Sequence, residues 1–178
     1  MHDPVKILFE EHEIIVNAID VAKQASSLIG KNDEQYEKTV RELIYFFRNY
    51  ADKFHHHKEE EILFPEMIKK NEGLADGVIK EMLHNHEDFR ERINKIEKYL
   101  DEKDHLKAQQ QLEHYTEALL DHIGAENDEV FQIAKTIFDA DELQKIYFRF
   151  EDCDSNLDKD KKQELVEKID GIRKGLML

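Results

Sequence analysis

The sequence predicts an all-α protein in which four long helices pack as a bundle and additional C-terminal helices follow. Its 178 residues include only six glycines and two prolines and are rich in Glu, Lys, Leu, Ile and Ala, a composition that favours long helices joined by short loops. Apolar residues recur at helical spacing along four segments that turn-forming stretches separate. We therefore predict a bundle over residues 1–138 and a helical extension over residues 139–178.

The formal net charge of −15 narrows the classes of partner. Nucleic acids and anionic membranes bind basic surfaces, so we expect neither as a partner and regard cations as the natural ligands. No segment approaches the roughly 20 apolar residues that span a bilayer, and the N-terminus lacks a basic segment followed by a long apolar run. We predict a cytoplasmic location. The chain has a single cysteine, Cys153, which excludes an internal disulfide. We interpret it as a reduced thiol without a functional role.

The first helix is predicted to start at Asp3-Pro4, because proline is favoured at the first helical position, and to end near Gly30. Its apolar face contains Val5, Leu8, Ile15, Ile19 and Ala22. His12 lies on that same face. A histidine on an apolar face is more often a hydrogen-bonded core residue than a metal ligand, so its interpretation depends on the other helices.

The second helix contains the most informative stretch, residues 55–65, in which three histidines precede three glutamates and an Ile-Leu-Phe-Pro run. Residues four apart share a helix face, so each histidine has a glutamate one turn later. The apolar face indicates which pair points inward, because it contains Val40, Ile44, Phe47, Ala51, His55 and Ile62. We therefore predict that His55 and Glu59 face the core and that His56 and the histidine after it are rotated away. The frame of His56 with Glu60 is the alternative.

The third and fourth helices also place histidines on their apolar faces. In the third, His86 shares its face with Ile79, Met82, Leu83, Phe89, Ile93, Ile96 and Leu100. In the fourth, His122 and Glu126 share a face with Leu112, Tyr115, Leu119, Val130 and Ile133. A buried glutamate is costly unless it is paired or bound to a cation, so Glu126 is the most informative carboxylate. Phe131 follows His122 by nine residues, as Phe64 follows His55, which supports the chosen frame.

Two shorter helices are predicted after the bundle. One runs from Leu143 to Phe150 behind an N-terminal cap at residues 139–142, and the other from Asp158 to Lys174. No motif in them indicates a chemical role. We predict that they pack on the outside of the bundle or mediate a weak self-contact through Phe148, Phe150 and Leu157.

The four bundle helices are expected to bring four imidazoles and two carboxylates to one interior point. This set has too many donors for one tetrahedral zinc and suits two octahedral ions bridged by carboxylates, with iron the first candidate. The candidate metal ligands are His12, His55, Glu59, His86, His122 and Glu126. The alternative, a bundle with ordinary core histidines, would have to accommodate six aligned polar groups in one core.

The sequence resembles the hemerythrin-like (HHE cation-binding) family over roughly residues 5–150. The most specific motif is His-x-x-Lys-Glu-Glu-x-x-Leu-Phe-Pro, matched by residues 55–65. Glu11-His12, the histidine at position 86, and the His-Ile-x-x-Glu run from His122 to Phe131 match the other motifs. The resemblance implies an up-down four-helix bundle with a non-haem di-iron centre, in which two iron ions are held by the six candidate ligands.

One departure from the family bears on function. Oxygen-carrying hemerythrins have a His-x-x-x-His pair in helix three, whereas Met82 and Arg90 stand four residues before and after His86 here. This argues against a simple oxygen carrier, and two histidines per ion would leave both ions an open position. We predict a protein that binds or reacts with dioxygen, peroxide or nitric oxide and receives electrons from a donor that the sequence does not identify. The alternative is an iron- or oxygen-sensing or iron-buffering domain without turnover.

Overall fold

Six helices make up nearly all of residues 3–176, the part of the chain that the computed structural model describes. They are α1 (Pro4–Ala25), α2 (residues 33–70), α3 (Val78–Asp101), α4 (residues 105–137), α5 (Ala140–Asn156) and α6 (Lys159–Leu176). The predicted all-α fold with additional C-terminal helices is confirmed. The two predicted segments, 1–138 and 139–178, also include residues 1–2 and 177–178, which lie outside the described residues.

Helices α1 to α4 form the bundle, because α3 packs along α4 while α1 contacts both α2 and α4. Two apolar clusters fill its interior. The first core cluster includes Ile19, Phe47 and Leu112, and the second core cluster includes Leu8 and Phe131. A layer of buried polar side chains lies between the two clusters, at the level of His12 in α1.

Helices α2 and α4 contain wide turns of π-helix, at Phe47–His56 and Glu59–Leu63 in α2 and at Glu126–Val130 in α4. A regular α-helix rotates residues four apart by about 40° relative to one another, whereas wider turns reduce this drift. Buried residues accordingly recur every fourth position of α2, namely Leu43, Phe47, Ala51, His55, Glu59, Leu63 and Met67. The π segments therefore keep one line of side chains facing the core for six turns.

The C-terminal helices pack against both core clusters. Ile146 and Phe150 of α5 belong to the second core cluster, and Leu165 and Ile169 of α6 to the first. The expectation that Phe150 mediates a self-contact is wrong, because its side chain is fully buried, whereas Phe148 is half exposed. The start of α5 agrees with the predicted cap: the Asp139 carboxylate accepts a hydrogen bond from the Glu142 amide, and the Glu142 carboxylate accepts one from the Asp139 amide.

Leu83 of α3 differs from its predicted place on the apolar face, since it is 38% exposed. Its neighbour Met82 is buried in the second core cluster instead. Among the described residues, no helix is both long and apolar enough to cross a membrane.

Candidate metal centre

The polar layer of the bundle consists of seven side chains, each at most 3% exposed. They come from all four bundle helices and are His12, His55, His56, Glu59, His86, His122 and Glu126. The structure thus brings together all six residues predicted from the sequence. It adds His56.

The expectation that His56 points away from the core is wrong. Its ring stacks on that of His86, with 3.8 Å between the ring centroids and 12° between the planes. The prediction assumed the regular 100° step of an α-helix, but His55 and His56 both lie in the π segment Phe47–His56, where the wider turn lets successive residues face inward. His57 is exposed, as predicted.

The seven side chains form two groups, and within each group the donor atoms lie within 4.8 Å of one another. The three-imidazole group consists of His56, His86 and His122. The mixed group consists of His12, His55, Glu59 and Glu126. Within the three-imidazole group, the Nε2 atoms of His86 and His122 are 3.1 Å apart.

The two carboxylates lie between the groups, with oxygen atoms directed toward each. Glu59 places Oε1 3.5 Å from Nε2 of His55 and Oε2 3.7 Å from Nε2 of His86. Glu126 places Oε2 3.2 Å from Nε2 of both His12 and His122, and Oε1 3.8 Å from that of His86. Both glutamates are therefore placed as bridging ligands would be.

Several buried donor atoms of this layer make no hydrogen bond. They are Nε2 of His12, Nε2 of His55, Nδ1 of His56, and all four carboxylate oxygens of Glu59 and Glu126. Burying a polar atom without a hydrogen-bond partner is energetically costly. Clustered imidazole nitrogens and carboxylate oxygens are the ligands that metal ions such as iron prefer. The residues present therefore fit a metal centre.

Comparison with models of protein families matches residues 3–134 to the hemerythrin HHE cation binding domain. The match spans all four bundle helices and every residue of the polar layer. The chain belongs to the hemerythrin HHE cation-binding family. No curated protein and no solved structure matches it significantly.

In this hemerythrin domain the outer nitrogen of several imidazoles is held by a second polar group. Nδ1 of His55 lies 2.9 Å from the Glu11 carboxylate, Nδ1 of His86 lies 2.8 Å from that of Glu60, and Nδ1 of His12 lies 2.8 Å from the Asn127 side-chain oxygen. Such contacts select the tautomer that donates from Nδ1 and leaves the Nε2 lone pair for a metal. The rings are thus oriented by the protein itself.

Burial and neighbouring charges shift the pKa values of these groups in opposite directions. Burial lowers the pKa of His55 to about 4, helped by the charge of His12, so its imidazole is neutral near pH 7. Burial and the charge of Glu126 raise the pKa of Glu59. Burial would also raise the pKa of Glu126, but His122 and His12 outweigh it and hold that pKa well below its usual range.

Sequence reasoning missed four contributors to the site: His56, and the side chains of Glu11, Glu60 and Asn127 that contact imidazole Nδ1 atoms. Glu60 was considered only as an alternative partner of His56, yet it accepts a hydrogen bond from His86. Asn127 lies one residue after a predicted ligand and contacts His12 on another helix. A signal for His56 existed in the run of three histidines, but only the π geometry of α2 decides that two of them turn inward.

Proposed function

We propose that the chain holds two iron ions, one in each group of the polar layer, with Glu59 and Glu126 shared between them. The observation that carries this proposal is the set of buried Nε2 and carboxylate oxygen atoms that make no hydrogen bond and converge from four helices. One group contributes three imidazoles and the other contributes two. Together with the two carboxylates they form a mixed nitrogen and oxygen ligand set, which suits iron.

The unequal division of imidazoles supports a role in binding small ligands. The ion of the mixed group would have one protein donor fewer than its neighbour, so an exogenous ligand has room on the side of His12 and His55. His56 supplies a third imidazole from α2, so the two groups do not hold two histidines each. The absence of a His-x-x-x-His pair in α3 therefore does not exclude reversible oxygen binding.

A surface cavity of about 480 Å³ lies beside the mixed group and supports access from solvent. Its walls are formed by Phe9, Val16 and Ile123 together with the polar side chains of His12, Glu13, Asn17 and Asn127. A cavity with both apolar and polar walls next to His12 can admit dioxygen, nitric oxide or hydrogen peroxide, which are all small and uncharged. We therefore propose that the protein binds or reacts with one of these molecules on this side.

When bound, reduced iron would supply the electrons for such a reaction, and an electron donor would have to restore them. The chain's own residues orient the rings through Glu11, Glu60 and Asn127 and exclude bulk water from the layer. Phe131 stacks on the ring of His12, with 5.3 Å between centroids, and closes the side that faces the second core cluster. A cytoplasmic location remains a prediction.

The proposal is tested by metal analysis and by reaction of the reduced protein. We expect iron-replete expression to give about two iron atoms per chain, since the layer offers two donor groups. Stopped-flow spectra of the anaerobic ferrous protein mixed with dioxygen, peroxide or nitric oxide should then show a reaction with at least one of them. One zinc and no iron would contradict the metal assignment. Inertness toward all three, together with reversible iron release, would favour the sensing or buffering alternative.

The side of entry has its own test. Val16→Trp should fill the cavity beside His12 and slow the reaction without changing iron content. Lys53→Trp is the matched control, because Lys53 lines a second cavity, of about 470 Å³, that borders the three-imidazole group at His56. Slowing by Lys53→Trp alone would reverse the assignment of the open side.

A further inference from the structure

Four charged side chains form a closed ring where α1, α2, α5 and α6 meet. Nζ of Lys58 lies 2.6 Å from Oε1 of Glu11 and 2.7 Å from Oδ1 of Asp154. Nζ of Lys162 contacts the same Oε1 of Glu11 and Oδ2 of Asp154. Each cation thus lies between both carboxylates, and the ring carries no net charge.

Three members of the ring are buried, and the side chain of the fourth, Lys162, is 15% exposed. Lys58 is fully buried, and Glu11 and Asp154 are 3% and 5% exposed. Lys58 lies three residues after His55, between the two π segments of α2, and donates a hydrogen bond to the carbonyl of Phe54, 2.8 Å away. Charges at such depth persist only where each is paired, so loss of one member leaves the others uncompensated.

One member of the ring reaches the metal centre directly. Glu11 uses Oε1 for the two lysines and Oε2 for Nδ1 of His55, at 2.9 Å. The position and charge of Glu11 therefore determine how well it accepts from His55 Nδ1, and this in turn directs His55 Nε2 to the centre.

Half of the ring comes from outside the hemerythrin match. Asp154 lies in α5 and Lys162 in α6, whereas the family match ends at residue 134. If Asp154 were neutral, two lysines would compete for Glu11 alone and weaken its contact with His55. If Lys162 were neutral, the ring would carry a net negative charge in a buried place.

We propose that Asp154 and Lys162 are positioning residues for the metal centre: they hold Glu11 in place, and Glu11 orients His55. The proposal rests on the proposed function in one respect, that His55 binds metal. Since linkage is reciprocal, metal binding also strengthens the docking of α5 and α6 on the bundle. The C-terminal helices are therefore part of the centre, although they contribute no ligand to it.

The test compares variants of the full chain. Asp154→Asn and Lys162→Met should each lower iron affinity about 10–100-fold, the usual effect of removing a group that orients a ligand, when measured by competition with a chelator. Lys162→Arg should restore the affinity because it keeps the charge. Lys168→Met is the matched control on α6, since Lys168 pairs with Glu42 on the surface and is 43% exposed.

A second readout needs no metal. Two-bond ¹H–¹⁵N spectra of the histidine side chains in the metal-free chain should show His55 as the Nδ1–H tautomer, and Asp154→Asn and Lys162→Met should shift it toward Nε2–H. Limited proteolysis should cut α6 faster in these variants and in metal-free wild type than in the iron-loaded protein.

The outcomes separate the two proposals. Wild-type protein that binds no iron but shows the tautomer shift would contradict the proposed function and retain the positioning role. Variants that lose thermal stability yet keep wild-type iron affinity and the wild-type tautomer would show that the ring only stabilises the fold. Should Asp154→Asn fail to fold, the comparison of Lys162→Met with Lys162→Arg decides the question.

Discussion

His86 is held from both ends of its imidazole. Its Nε2 faces His122 and the two shared carboxylates, while its Nδ1 contacts Glu60, which also accepts from Arg90 at 2.7 Å. Burial opposes protonation of this ring, but the nearby carboxylates of Glu126 and Glu60 outweigh it and raise the pKa of His86. The ring therefore depends on Glu60 for its orientation.

Removing that contact should weaken metal binding without removing a ligand. We expect Glu60→Ala to lower iron affinity about 10–100-fold, because the ring of His86 would no longer be held at Nδ1. Glu61→Ala is the control, since Glu61 is exposed on the other side of α2. Chelator competition on both variants measures the effect, and equal affinities would exclude an orienting role for Glu60.

Alanine substitutions of the consecutive histidines of α2 are expected to differ in their effect on iron content. His56→Ala should release the ion of the three-imidazole group and lower its affinity by at least about tenfold, whereas His57→Ala should leave iron content unchanged because that ring is exposed. Elemental analysis of the purified variants decides this. Full iron content in His56→Ala would indicate that His56 is not a ligand and that only the six residues predicted from the sequence bind the metal.

At the residue scale, the sequence was sufficient where a side chain lies on a regular helix face. His12, His86 and His122 each follow the apolar period of their helix, and the structure places all three in the polar layer. His56 could not be found in this way because its direction depends on a change of helix type. Asp154 and Lys162 could not be found either, since Lys162 contacts Glu11 across 151 positions of the chain and Asp154 contacts Lys58 on another helix.

At the scale of the element, α2 departs most from regular geometry. Its π segments keep every fourth residue inward, and they place His55, His56 and Glu59 together in the layer. Pro65, just after the second π segment, removes one amide donor and so one of the hydrogen bonds that would impose a regular α-helix. The sequence predicted the existence of this helix, but not the π turns within it.

Shortening the π segment by one residue should separate its ligands. Deletion of Lys53 favours a regular α-helix over this stretch and restores a rotation of about 100° between His55 and His56. We expect helix content to remain and iron content to fall. Lys53→Ala, which keeps the length, is the control. Wild-type iron content in the deletion variant, together with wild-type circular dichroism, would show that the wide turns are not required.

At the scale of the whole molecule, the metal should contribute to stability. Without it, Glu59 and Glu126 are buried without hydrogen-bond partners, which is costly. A ligand at about 100 times its dissociation constant stabilises the native state by about 2.7 kcal/mol, which corresponds to about 5–10 °C in Tm for a chain of this size. We expect calorimetry to show such a rise on iron loading.

The control for this measurement is Glu126→Gln, in which iron should raise Tm much less because a shared carboxylate is missing. An equal rise in both proteins would indicate that iron binds elsewhere. Chelation of the wild-type protein should reverse the rise.

The polar layer also separates the two apolar clusters of the bundle, and this affects the axial alignment of neighbouring helices. Apolar faces alone allow neighbouring helices to slide past one another by one turn with little loss of contact. Such a slip would place Glu59 or Glu126 against aliphatic side chains, where a carboxylate finds neither a histidine nor a cation. We expect the layer to act as a buried polar residue does in a coiled coil, where it selects one axial alignment of the helices at some expense in stability.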